Sequence, residues 1–579
     1  MKLEAISHRN VLTDCYAYND RDIVIHLRTG KDVTAVTLIH GDPFAGGCMG
    51  VKAWSGVPTA MEQSLELARH RLWTIQVSPR YKREQYYFEI TDGIETVLLL
   101  EDDFYSPETA FLPGRVPQYF KFPWLNAVDV CSVPQWVSDM VWYQIMPDRF
   151  CRGNMAQKRM PLKDWEDTAQ IRFDDFYGGD LPGITEKLPY LKELGITGIY
   201  MTPIFLSDSN HKYNTFDYET IDPDFGTEED MIRLVETAHS LGIRVMVDAV
   251  FNHCGLQFAP WQDVMEKGAA SPYYDWFFVH TDPLPRIPDS TADGRYYSFA
   301  FESYMPKLNT GNPAVADYCI ARCRHWVERW QVDGIRFDVG NEVSHRFLKQ
   351  LNRELKALKP DLFLLGEIWG DSVQWLQGDE YDSVMNYSFI HSLQNFWLDK
   401  GMDSRELMFA LNRCLSLYPE QVNSVLFNFL DTHDTPRAIH RCGNPDSFFQ
   451  QLVVLMTTQG SPCMYYGTEI ALEGGDDPDN RRPMPWKRLE SGQCEETLTQ
   501  VKALIRLRLD NPQLRSNAMH WHHDPAHPRL ISYTRGTDQP LQIFLNAGDH
   551  SVPVETGAIL FARVYENGIL QPGGCLITA

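Results

Sequence analysis

The chain has 579 residues, 44% hydrophobic and 22% charged, which is enough apolar material for several cores and excludes both wholesale disorder and a small binding module. Its 53 basic and 77 acidic side chains leave a formal charge of −24, which repels phosphate backbones, so no nucleic-acid partner is expected and a neutral ligand fits better. No run approaches the ~20 apolar residues of a membrane span, and the first ten residues hold no signal-like apolar stretch, so a cytoplasmic protein with no membrane partner is expected.

The twelve cysteines are scattered without a CxxC pair, in keeping with reduced thiols, and Cys319 and Cys323 at helical spacing read as packing. Aromatic residues reach 12%, with 15 Trp and 26 Tyr, which makes stacking platforms for flat apolar faces such as sugar rings worth seeking.

In chain order, short alternating runs such as Ile23 to Leu27 and Tyr86 to Ile90 predict antiparallel β up to about residue 102, the body of an N-terminal β-sandwich domain placed at residues 1–124. Its aromatics Trp54, Trp73, Tyr81, Tyr86 and Tyr87 fit a core or an interface better than a sugar platform. From Asp103 to Pro134 the chain is dense in proline and aromatics, which reads as a docked linker too stiff for a regular element.

Beyond Trp136, apolar runs alternate with amphipathic helices, the pattern of a parallel sheet with crossover helices. Eight candidate strands follow: Val141 to Met146, Gly195 to Met201, Arg244 to Val250, Gly334 to Val339, Leu362 to Ile368, Ser383 to Asn386, Ser424 to Phe429 and Pro462 to Tyr466. Together they predict a (β/α)8 barrel over residues 125–502. Ile184, Leu188, Leu191 and Leu194 mark one intervening helix, which Gly195 should stop. Residues 255–309 lack helical periodicity, carry Trp261, Tyr273, Tyr274 and Trp276, and read as an inserted subdomain at the C-terminal rim. A last helix containing Leu504, Ile505, Leu507 and Leu509 leads into a C-terminal β-sandwich at residues 503–579.

In such a barrel, side chains at the C-terminal strand ends face the active site. Four strands end in acids: Asp248 with Asn252 and His253 beyond it, Arg336 and Asp338, Glu367 and Trp369, and Asp431 with His433 and Asp434. Asp338 and Glu367 on neighbouring strands suit glycoside hydrolysis, one attacking the anomeric carbon and the other protonating the leaving oxygen. Arg336, two residues before Asp338 and so on the same face, should keep that aspartate ionised, while crowding by Asp338 and Asp434 should leave Glu367 its proton. Metal-assisted hydrolysis through Asp248, His253, His433 and Asp434 is the rival chemistry, though no HxH or HExxH spacing accompanies it.

These four segments resemble the signature regions of the α-amylase superfamily of retaining glycosidases. Tyr143 to Phe150, Phe176 to Leu181, the pentapeptide Met305 to Asn309 and Asn341-Glu342 are similar to the neopullulanase, cyclomaltodextrinase and maltogenic amylase branch. The resemblance implies that Asp338 is the nucleophile, Glu367 the general acid/base and Asp434 the third catalytic carboxylate, which grips sugar hydroxyls, with Arg336 orienting the nucleophile. His253 and His433 would hydrogen-bond the sugar in subsite −1, Tyr213 beside His211 would stack on it, and Asp477 with Arg481 would hold the next sugar on the non-reducing side. Glu342 and Trp369 would lie toward the acceptor. Asp248, the first acid, reads as a buried residue ordering the site.

The same resemblance implies an α-1,4-glucan hydrolase acting on cyclodextrins, maltooligosaccharides and pullulan, with transglycosylation, and a homodimer through the N-terminal domain. A maltodextrin glucosidase or oligo-α-1,6-glucosidase is the enzyme alternative, and a carbohydrate-binding barrel the non-enzyme one. No cofactor is expected. Only Asn154 and Asp180 look like usable calcium ligands, fewer than the six to eight oxygens calcium takes, and Asn341-Glu342 replaces the Lys-His that gives many α-amylases a calcium contact.

Overall fold

The computed structural model spans residues 1–579 and describes all of them except residues 12, 48–53, 154–157, 282–288 and 556. The chain divides into two compact units: residues 1–132, 371–378 and 401–423 form one, and residues 133–370, 379–400 and 424–579 the other. No helix among the described residues is long and apolar enough to cross a membrane.

In the first unit, Cys15–Ala17, Ile23–Gly30, His70–Val77 and Glu62–Glu66 form one antiparallel sheet in that order. Val57–Ala60, Ala35–Gly41, Glu84–Thr91, Thr96–Leu99 and Phe104–Tyr105 form the other, and Phe120–Phe122 also pairs with Glu84–Thr91. Alternate residues, Ile23, Ile25 and Leu27 from one sheet and Leu38, Tyr86, Phe88 and Ile90 from the other, fill a shared core. The proline-rich stretch is thus not all linker: Phe120 pairs with Tyr86 and stacks on its ring, centroids 5.5 Å apart. Pro117 and Pro123 flank the three-residue strand Phe120–Phe122 without interrupting it, which is where an edge strand tolerates proline.

The second unit holds eight parallel strands: β1 (Trp142–Ile145), β2 (Gly198–Met201), β3 (Arg244–Ala249), β4 (Gly334–Phe337), β5 (Phe363–Gly366), β6 (Ser383–Val384), β7 (Phe427–Phe429) and β8 (Ser461–Tyr465). Their spatial order is β6-β5-β4-β3-β2-β1-β8-β7, and a parallel bridge from Met385 to Phe427 joins the two ends into a barrel. β1, β3, β4, β5 and β6 stop one or two residues before the ends of their apolar runs, because the last residues of those runs already turn into the loops that carry the site, whereas β2 and β7 start late and β8 is shifted by one residue. Helix α1 (Leu181–Leu194) shows how a connection is punctuated: the Asp180 carboxylate caps its start by accepting the Gly183 N–H at 2.8 Å, and Gly195 ends it at φ 97°.

The insertion holds a helix the periodicity does not announce, α2 (Ala259–Lys267), with only Trp261 and Val264 buried on its inner face. Trp261 packs against Phe277 and Tyr296, at 4.8 and 4.9 Å between centroids, so this tryptophan forms the insertion's own core. Near the C-terminus, helix α3 runs over Glu495–Asp510, starting ahead of the apolar cluster that marks it. The terminal β-region is a connected six-stranded antiparallel sheet. Its long strand Ile569–Thr578 pairs with three others and crosses Gly573 at φ 78°.

Candidate active site

Parallel register brings the strand-end charges together. Asp248 on β3 lies directly opposite Arg336 on β4, and Asp338 and Glu367 extend the same ladder just past the ends of β4 and β5, through Asp338 N to Ala249 O at 3.1 Å and Glu367 N to Phe337 O at 3.0 Å. Arg336 is wholly buried and serves three carboxylates at once. Its Nη1 donates to both Asp248 oxygens at 2.9 and 2.8 Å and to Asp338 Oδ1 at 2.9 Å, while Nη2 stands 2.8 Å from Glu367 Oε2, an ion-pair distance without hydrogen-bond alignment.

This sharing corrects the expectation that Arg336 favours Asp338 alone. Burial pushes the Asp338 carboxyl well above the usual carboxylate range; the Arg336 charge opposes that push, and the charges of Glu367, Asp248 and Asp434 add to it. Burial raises Asp434 and Asp248 as well. Asp338, Asp434 and Asp248 therefore hold a proton more readily in the free site than a solvated carboxyl does.

Two further contacts shape the pair. Trp369 Nε1 donates to Glu367 Oε1 at 3.1 Å while its ring stacks on Tyr387, centroids 3.9 Å apart. The Val339 N–H donates to Glu367 Oε2 at 3.0 Å from a left-handed backbone at φ 47°. A β-branched residue in that region is strained by about 1–3 kcal/mol, so the turn after Asp338 spends stability to aim this N–H.

Asp338 and Glu367 line a cavity of about 430 Å3 together with His211, Tyr213, His253, Trp369, His433, Asp434, Asp477 and Arg481, a volume usual for a small-ligand site. Tyr213 and His433 lie with their rings parallel, centroids 5.1 Å apart at 1°. Tyr213 is aimed by a left-handed turn at Lys212, φ 65°, whose buried ammonium pairs with Asp222 at 2.8 Å, and its hydroxyl donates to Asp248 Oδ2 at 3.0 Å. Burial pushes His211 and His433 well below the ordinary histidine value and His253 down to about 3, so three neutral imidazoles face the cavity. Arg481 joins Asp477, at 2.9 Å, to Asp434, at 3.5 Å, and burial pushes Asp477 up to about 6.

Asp248 and Arg336 do not line the cavity; they hold the residues that do. Nor does Glu342, which pairs with Lys307 at 3.0 Å while its neighbour Asn341 faces the space. The structure adds Phe173, Phe299, Tyr304, Met305 and Val339 to the lining. Tyr304 and Met305 adjoin or open the marker pentapeptide, a signal the sequence does offer; Phe173 sits in a loop and Phe299 opens a three-residue 3₁₀ turn, where no pattern marks them.

Calcium does not fit the donors at Asp180. Its Oδ1 accepts the N–H groups of Gly153 and Gly183 at 2.9 and 2.8 Å, and its Oδ2 accepts the buried Lys158 ammonium at 2.7 Å, which also reaches the Asp224 carbonyl at 2.5 Å. A fixed cation already stands against the carboxylate. Asn154, the other candidate ligand, lies outside the described residues. Among the described residues, no group of three or more His, Cys, Asp or Glu side chains is disposed to hold a metal ion.

A parallel eight-stranded barrel with paired carboxylates, neutral histidines and an aromatic platform at its strand ends defines a glycoside hydrolase. Residues 144–522 match the alpha amylase catalytic domain and residues 1–126 the alpha amylase N-terminal ig-like domain; the chain belongs to the alpha-amylase family. It is 38% identical to the intracellular maltogenic amylase of Bacillus subtilis, over 95% of this chain and 92% of that protein. It is likewise 38% identical to neopullulanase 2 of Thermoactinomyces vulgaris, over 94% of this chain and 91% of that one. A solved structure of a cyclomaltodextrinase superposes with a TM-score of 0.91 over 100% of both chains at 34% identity.

Proposed function

We propose that the enzyme hydrolyses α-1,4-glucosidic bonds with retention through a covalent glycosyl-enzyme. Asp338 attacks the anomeric carbon as the bond to the leaving oxygen breaks, and Glu367 gives that oxygen a proton. Glu367 then takes a proton from water, the hydroxide attacks the same carbon, and Asp338 leaves as a carboxylate. A sugar hydroxyl in place of water gives transglycosylation. The observation that carries this reading is the placement of both carboxyls on one cavity wall within reach of one guanidinium.

Around that pair, Asp434 and the Nε2 faces of His253 and His433 grip hydroxyls, and Tyr213 offers a stacking face. Asp477 and Arg481 hold the neighbouring sugar, and the half-exposed Trp369 faces the acceptor. Charge on the ring builds toward the transition state, so negative groups near it stabilise the oxocarbenium ion more than the ground state.

Cyclodextrins, linear maltooligosaccharides and pullulan are the substrates this reading favours, supported by the names of the relatives above. A time course of products from β-cyclodextrin, pullulan and soluble starch tests it: maltose, and panose from pullulan, are expected, whereas glucose alone from every substrate would indicate a maltodextrin glucosidase or oligo-α-1,6-glucosidase. No metal takes part in this chemistry, so exhaustive chelation should leave at least half the activity. Complete loss restored by calcium or zinc would revive the metal-assisted route.

The protein is further proposed to work in the cytoplasm as a homodimer. The relative named intracellular supports the compartment. Phe44, Tyr81 and Trp124, each about half exposed in the N-terminal unit, give that unit apolar surface to pair with. Light scattering should return twice the 66.7 kDa chain mass at micromolar concentration; a strict monomer would contradict the pairing.

A further inference from the structure

His253 is neutral and therefore carries one ring proton, so which nitrogen holds it decides whether the ring can donate into the cavity. Nε2 is buried with no hydrogen-bond partner among the described residues, and the residue lines the cavity. Nδ1 lies 3.2 Å from the side-chain Nδ2 of Asn252, a residue that is itself fully buried. The Tyr213 carbonyl is a further polar neighbour of the ring, able to accept a ring N–H.

The orientation of the Asn252 amide follows from Lys307. An ammonium only donates, so the Asn252 atom against Lys307 Nζ has to be the carbonyl oxygen, Oδ1, and the amide NH2 has to face His253. Lys307 is placed by backbone: its segment bridges to His253, with Cys254 N donating to Pro306 O and Leu308 N to Asn252 O, both at 3.0 Å. Its ammonium is held at the far side by the Glu342 carbonyl, 3.1 Å, and carboxylate, 3.0 Å. The chain of contacts runs Glu342, Lys307, Asn252, His253, and every donor in it has a fixed direction.

We propose that Lys307 is a positioning residue: by fixing the Asn252 amide it makes Nδ1 of His253 an acceptor and leaves the proton on Nε2, aimed at a sugar hydroxyl in the cavity. This gives the marker pentapeptide and Glu342 a task for which neither needs to touch the sugar. The inference rests on the reading above only in that the hydroxyl His253 meets belongs to the substrate.

Two measurements separate the parts. In the full-length protein labelled with 15N-histidine, a two-bond 1H–15N correlation spectrum reads the tautomer directly, and the His253 signals are the ones lost in His253→Gln. Wild type should carry the proton on Nε2, and Lys307→Met should shift the ring toward a mixture. A wild-type proton on Nδ1, held by the Tyr213 carbonyl, would overturn the proposal whatever the substrate.

Kinetics then test the use of that proton. Lys307→Met and His253→Ala should each lower kcat/KM roughly 10- to 100-fold, mostly in kcat, and the double variant should be no worse than His253→Ala alone, because Lys307 acts through the imidazole. Independent, multiplying losses would show that Lys307 only supports the fold or acts through Glu342, and would also overturn the proposal. A His253→Ala variant with wild-type kinetics would instead remove the sugar contact itself, leaving the tautomer result standing.

Discussion

Asp338→Asn and Glu367→Gln should each lower kcat by at least about a thousandfold, which is about 4 kcal/mol of barrier, without unfolding the protein. Asn keeps the shape of the nucleophile but cannot form the ester, and Gln cannot deliver a proton to the leaving oxygen. Neither substitution should lower thermal stability much, and Asp338→Asn should raise it. Asp338 is buried against Glu367, Asp248 and Asp434, so removing its charge relieves repulsion that the fold otherwise tolerates. Steady-state kinetics with a melting curve for each variant check both halves. Activity within tenfold of wild type would remove that carboxyl from the chemistry.

Arg336→Met should be the most damaging single change to stability in the site, at about 3–5 kcal/mol, because it strands Asp248, Asp338 and Glu367 in the barrel with no counter-charge. The penalty should depend on pH with a definite sign. Asp338 and Asp248 are already raised by burial with Arg336 in place, and without it they rise further. The folded variant then holds protons that the unfolded chain has released, so its stability is present at low pH and falls as pH rises through the carboxylate range toward neutrality. Denaturant melts of variant and wild type at pH 5 and pH 8 read this directly: the gap between them should widen at the higher pH. An unchanged gap would mean the guanidinium is not what holds these charges.

Much of this site is legible along single strands. The period of two puts Arg336 and Asp338 on one face, and the position of an acid at a strand end is enough to aim it into the barrel. What single strands do not carry is pairing between them. Asp248 meets Arg336 across 88 residues of chain, so the three-way sharing of the guanidinium comes from register rather than spacing. The Lys307 to Asn252 contact crosses 55 residues for the same reason. Backbone strain is equally silent, since nothing in Asp338-Val339-Gly340 announces a left-handed valine.

Composition misleads in two places. Prolines around Phe120–Phe122 conceal an edge strand, and the short helix Ala259–Lys267 buries too few residues to show a period. Aromatic content points rightly to a sugar site but not to its members: Trp261 is spent on the insertion's core, while Phe299 of the same insertion lines the cavity and stacks on His253 at 5.0 Å.

The central claim is that Asp338 becomes esterified. Incubating the Glu367→Gln enzyme with an α-maltosyl fluoride bypasses the missing acid, since fluoride leaves unaided, and withholds the base that would hydrolyse the ester, so the intermediate should accumulate. Peptide mass spectrometry should then find one maltosyl unit on the peptide carrying Asp338, and none when Asp338→Asn is added. A maltosyl group on another side chain, or no adduct alongside wild-type product of inverted anomeric configuration, would contradict the account.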